Sequence, residues 1–137
     1  MHKLVNLHEK DMQVFLTKSA EESVKSLTAP LMAEIHLIFG CLVVKRVWFK
    51  EYAASPESET ILGNLNVCFR TVRYSKQCRL SHIDSGVEEP MNFQLGVGVE
   101  KKAFVPKWMR IDHKKGKWIG TYGYDKSTMP NANPWFS

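Results

Sequence analysis

The residues best suited to chemistry in this sequence fall between positions 78 and 84, Cys78-Arg79-Leu80-Ser81-His82-Ile83-Asp84. His82 and Asp84 stand two apart, so an extended chain points both side chains to one face, where the carboxylate would fix the tautomer of the imidazole. Cys78 shares that face. Strand rise puts it about 13 Å from His82, beyond nucleophile–base contact unless a turn or another strand intervenes. Cys78, His82 and Asp84 are therefore the candidates for a small hydrolytic or thiol site. The competing reading is a partly buried histidine at a strand end, bonded to a loop carbonyl or carboxylate. Zinc would draw on Cys68, Cys78 and His82, with Asp84 or His36 as a fourth ligand, but the paired spacing of zinc ligands is missing. No metal site and no cofactor is expected. Gly96-Val97-Gly98 lacks the third glycine and the helix of a dinucleotide fingerprint.

A different chemistry resides near the C-terminus. Lys107, Arg110, Lys114, Lys115 and Lys117 surround two tryptophans, Trp108 and Trp118, with His113 among them. Cations interleaved with aromatic rings suit an anionic polymer such as single-stranded nucleic acid, which needs a charge track and stacking faces. Arg70, Arg73, Lys76 and Arg79 would lengthen the track. The bland alternative is a sheet face packed by its aromatics, with a solvated charged turn. No nucleic-acid-binding signature accompanies the cluster. Trp48, between Arg46 and Lys50, suits an interface anchor or packing against the N-terminal helix.

Charge distribution agrees with this emphasis on the C-terminal half. The chain carries a net +5 over 137 residues. Residues 1–69 hold seven basic and eight acidic side chains, whereas residues 70–137 hold twelve and six. Hydrophobic residues make up 44% and charged residues 24%, which excludes collagen, coiled-coil and disulfide-scaffold classes. The three cysteines, Cys41, Cys68 and Cys78, are odd in number and without a Cys-x-x-Cys pair, so reduced thiols are expected. The longest apolar run, Leu37 to Val44, is far short of the about 20 residues of a membrane helix, and no signal-peptide core is seen. These features predict a cytoplasmic protein with no membrane association.

The elements that must position these groups are read from periodicity. Asn6 and Glu9 form a capping-box pattern, and Met12, Phe15, Leu16, Ala20, Val24 and Leu27 follow at helical spacing, predicting an amphipathic helix over 7–28. Residues 33–50 read as extended, with a bend or bulge at Gly40. Residues 53–63 read as a polar loop, and 64–75 as a strand with Leu65, Val67 and Phe69 on one face. Residues 107–112 and 117–122 alternate by twos around His113-Lys114-Lys115-Gly116, predicting a hairpin. One helix and several strands imply a single α+β domain over 1–137, its N-terminal helix on one face of a mainly antiparallel sheet, with 125–137 a loose tail. The leading functional reading is a non-catalytic binding module using the basic C-terminal sheet and hairpin, with a protein or an anionic polymer as partner. A small enzyme built on His82 and Asp84, with or without Cys78, is the alternative. Homodimerisation through an exposed sheet edge is a third possibility.

Overall fold

In the computed structural model, residues 1–39, 43–73 and 103–130 are described. The chain begins with strands, not with a helix. Strand β1 (His2–Leu7) and β2 (Lys10–Leu16) form an antiparallel hairpin. The α-helix α1 (Lys18–Lys25) is eight residues long and follows β2. The long helix predicted over 7–28, and with it the α+β layout, is therefore overturned in favour of a mostly β architecture.

The physical reason is visible in the residues. Val5, Leu7, Met12, Val14 and Leu16 alternate by twos and are all buried, whereas the helical stripe omitted Val5, Leu7 and Val14. The turn between the strands uses His8 and Glu9, both at positive φ (49° and 67°). Hairpin turns of this kind usually announce themselves with Asn-Gly or Asp-Gly, and this one does not. Asn6 caps nothing; its amide donates to Asp11 Oδ1 across the hairpin at 3.1 Å. The true cap is Thr17, whose hydroxyl oxygen accepts from the Ala20 amide at 3.2 Å.

Six further strands follow: β3 (Leu31–Phe39), β4 (Val43–Lys50), β5 (Glu59–Leu62), β6 (Leu65–Arg73), β7 (Trp108–Lys114) and β8 (Lys117–Gly123). They complete two four-stranded sheets, ordered β1-β2-β7-β8 and β4-β3-β6-β5. Two pairings are parallel, β2 with β7 and β3 with β6, and the other four are antiparallel. Residues 33–50 are extended as expected, but as two paired strands. The predicted loop over 53–63 contains β5, an edge strand.

One apolar core joins the sheets. Met12, Val14, Met109 and Ile111 of the first sheet meet Ala33, Ile35, Val67 and Phe69 of the second, and Ala20 and Val24 of α1 join them. Strand β3, paired on its two edges with β4 and β6, is buried from Leu31 to Ile38. The sheets approach closely where β8 passes β4. A Cβ on Gly120 would fall 2.7 Å from Val47 Cγ1, so only glycine fits there. The Tyr122 hydroxyl spans the core to donate to the His36 carbonyl at 2.6 Å, and Lys45 Nζ donates to the Tyr122 carbonyl at 3.2 Å.

Candidate functional site

The C-terminal hairpin forms as its alternation implies, and it turns more tightly than expected. Lys114 pairs with Lys117, which leaves Lys115 (φ 51°) and Gly116 (φ 76°) as a two-residue turn. Double positive φ matches the right-handed twist of the flanking strands, and glycine supplies half of it without strain.

Alternation then divides the predicted binding residues between two faces. Trp108, Arg110, Asp112, Lys114 and Lys117 share the outer face of the first sheet, whereas His113 and Trp118 point to the core side. Trp118 stacks on Phe49 with ring centres 5.8 Å apart and meets His113 edge-on at 4.7 Å. Trp108 lies over Gly123, and its indole N–H donates to the Asp125 carbonyl at 3.2 Å and to Thr128 Oγ1 at 3.3 Å. The two indoles therefore do not offer a common stacking surface. Lys107 is exposed at the far end of the ribbon, about 23 Å of extended chain from Lys114. What converges is the tip: Lys114, Lys115 and Lys117 are all exposed, and two of them are direct cross-strand neighbours.

Asp112 roots this tip in the fold. Its carboxylate is buried and accepts from the Thr17 hydroxyl (2.7 Å), the His113 amide (2.8 Å) and the Ser19 hydroxyl (3.1 Å). Arg110 and Lys114 reach the other oxygen at 3.7 and 3.5 Å. Burial pushes the carboxyl pKa up, but Thr17, the His113 amide, Ser19 and Arg110 together hold it below the ordinary value. The acid is thus an anion that fixes the ribbon to the start of α1. One turn along α1, Ser23 Oγ lies 2.9 Å from His113 Nδ1. Beside this pair opens a cleft of about 370 Å³ lined by Glu22, Ser23, Ser26, Leu27, His113 and Trp118.

A second polar cluster, on the outer face of the second sheet, was not singled out from the sequence. Glu34 and His36 are both buried on β3. His36 Nε2 lies 3.0 Å from Glu34 Oε1, and the Tyr52 hydroxyl donates to Oε2. Lys50 Nζ and Arg70 Nη2 stand 3.6 and 4.0 Å from the same carboxylate. Desolvation works against ionisation, yet His36, Tyr52, Arg70 and Lys50 outweigh it and lower the Glu34 pKa to about 2. Burial and the bond to Glu34 push the Tyr52 phenol up, and burial pushes the Cys68 thiol up. The cluster thus holds one fixed anion beside two groups kept protonated. That is the chemistry of a satisfied buried ion, not of an activated thiolate. The available signal was an acid and an imidazole two apart within a strand otherwise apolar on both sides.

Cys78, His82 and Asp84 lie outside the described residues, as do Cys41, Lys76 and Arg79. Of the zinc set only Cys68 and His36 are described, and among the described residues no three His, Cys, Asp or Glu side chains converge as a metal site. Trp48 sits under Arg46, 5.1 Å from guanidinium to ring, on the outer face of the second sheet. Among the described residues no helix is long and apolar enough to cross a membrane. Comparison with protein-family models, with curated proteins and with solved structures finds no match to this chain.

Proposed function

We propose that the protein is a binding module whose ribbon tip takes the phosphate backbone of a nucleic acid without reading its bases. The observation that carries this reading is the pairing of Lys114 with Lys117 across a turn that itself contains Lys115. Like charges at directly opposed strand positions weaken a hairpin. A single carboxylate, Asp112, is already shared between Arg110 and Lys114. Positive charge is thus concentrated where it costs stability, on an element rigidly tied to the core. A polyanion would relieve that repulsion on binding.

The separation of Trp108 from Trp118 argues against base stacking as the source of affinity. Contact through phosphates alone predicts binding to single and double strands alike, with no sequence preference. The test is a fluorescence-anisotropy titration of the full chain with a single-stranded 15-mer and its duplex. Binding to both that is lost on neutralising the tip (K114Q/K115Q/K117Q) supports the reading. Binding that survives in this triple variant, or binding to neither nucleic acid, rejects it.

A further inference from the structure

The cleft between α1 and the ribbon holds an arrangement that the charge of the tip does not explain. We propose that Ser23 and His113 form a nucleophile–base pair that hydrolyses small, uncharged carboxylic esters. The two side chains come from separate elements and meet at 2.9 Å, within the reach such a pair requires. Both are half-buried, and both line the same open cleft of about 370 Å³, a volume suited to a small ligand. The geometry is fixed from both sides. Ser19 and Ser23 lie one helical turn apart, and they bond the consecutive ribbon residues Asp112 and His113. Trp118 packs edge-on against the imidazole and restricts its rotation.

With His113 in the Nε2–H tautomer, the Ser23 hydroxyl donates to Nδ1. On attack, Ser23 Oγ bonds to the ester carbonyl carbon and its proton passes to Nδ1. The tetrahedral species then breaks the bond to the alcohol oxygen, which leaves with the proton from Nδ1. Water, giving a proton to Nδ1, attacks the acyl-serine, and the carboxylic acid departs as that proton returns to Ser23 Oγ. The imidazolium formed midway lies beside Ser23 in the C-terminal turn of α1. Leu27 and Trp118 supply an apolar wall for a short acyl chain. The amides of Ser26 and Leu27 are already bonded to the Ser23 and Val24 carbonyls, so neither serves as an oxyanion donor. Activated aryl esters are therefore the substrate class, and amides are not.

The experiment uses the full chain with p-nitrophenyl butyrate and, separately, a fluorophosphonate probe located by peptide mass mapping. The expected result is one adduct, on Ser23, and ester turnover that falls at least about tenfold in Ser23→Ala and in His113→Gln. Turnover that survives Ser23→Ala would show an imidazole acting alone and overturn the proposal, as would the absence of an adduct on Ser23. Should either variant melt early, Ser23→Cys provides a second readout. Alkylation of its introduced thiol by iodoacetamide is expected to slow when His113→Gln is added, and an unchanged rate contradicts the pair. None of these readouts involves Lys114, Lys115 or Lys117, so failure here and failure of nucleic-acid binding are separate results.

Discussion

The outer face of the second sheet and the tip of the C-terminal ribbon are both rich in charge, and they treat it in opposite ways. At Glu34 a single anion is buried and enclosed by an imidazole, a phenol, an ammonium and a guanidinium. At the tip three exposed lysines adjoin, and the nearest carboxylate, Asp112, is divided among Lys114, Arg110 and the start of α1. Burial demands compensation within the fold, because an unpaired interior charge costs several kcal/mol. Exposure does not, so unbalanced charge at a surface is free to await a partner. The two regions differ in whether their charge is balanced within the fold, and the proposed function rests on that difference rather than on the density of polar residues.

The largest expected effect comes from breaking the balanced region. Glu34→Ala strands His36, Tyr52 and Lys50 without their acceptor and is expected to cost about 3 kcal/mol, read as a lower denaturation midpoint in urea. If the loss is below about 1 kcal/mol, the cluster does not support the sheet. Next in size is Gly120→Ala, whose methyl would meet Val47 where β8 passes β4. A loss of about 2 kcal/mol is expected by the same measurement, and Val47→Ala should recover part of it if the clash is the cause.

Acid sharpens the comparison. The folded pKa of Glu34, about 2, lies below the ordinary value of 4.5. Its stabilising share is therefore complete above pH 4.5 and is lost as pH falls towards 2. Urea midpoints measured across that window should fall for the native chain and fall less for Glu34→Gln. Equal slopes would mean the carboxylate is not held as an anion. A smaller effect is expected from Thr17→Ala, which removes both the cap of α1 and a hydroxyl on Asp112, at about 1 kcal/mol. The smallest has the opposite sign. Lys117→Glu replaces a repulsive cross-strand pair by an attractive one and should raise the unfolding free energy by about 0.5 kcal/mol, read as a higher urea midpoint, while weakening polyanion binding.

Legibility in the sequence followed the same divide between local and long-range causes. The ribbon over 107–122 was readable because its alternation and Gly116 are local signals. Strand β6 was readable because Leu65, Val67 and Phe69 repeat at period two. The first hairpin was hidden, since His8 and Glu9 are unusual turn residues and Met12, Leu16 and Ala20 fit a helical stripe as well as a strand followed by a short helix. Alternation about the turn also implies that Trp108 and Trp118 occupy opposite faces. Glu34 and Ser23 owe their surroundings to residues 18 to 90 positions away, namely Tyr52, Arg70 and His113. No local pattern encodes such meetings.

The central claim, that the lysine tip contacts phosphates, is tested most directly by the salt dependence of oligonucleotide binding. Plotted as log K against log salt concentration, the native chain should show a slope at least about 2 units steeper than K114Q/K115Q/K117Q, since three single-strand phosphate contacts each contribute about 0.7. Equal slopes for the two proteins would contradict it.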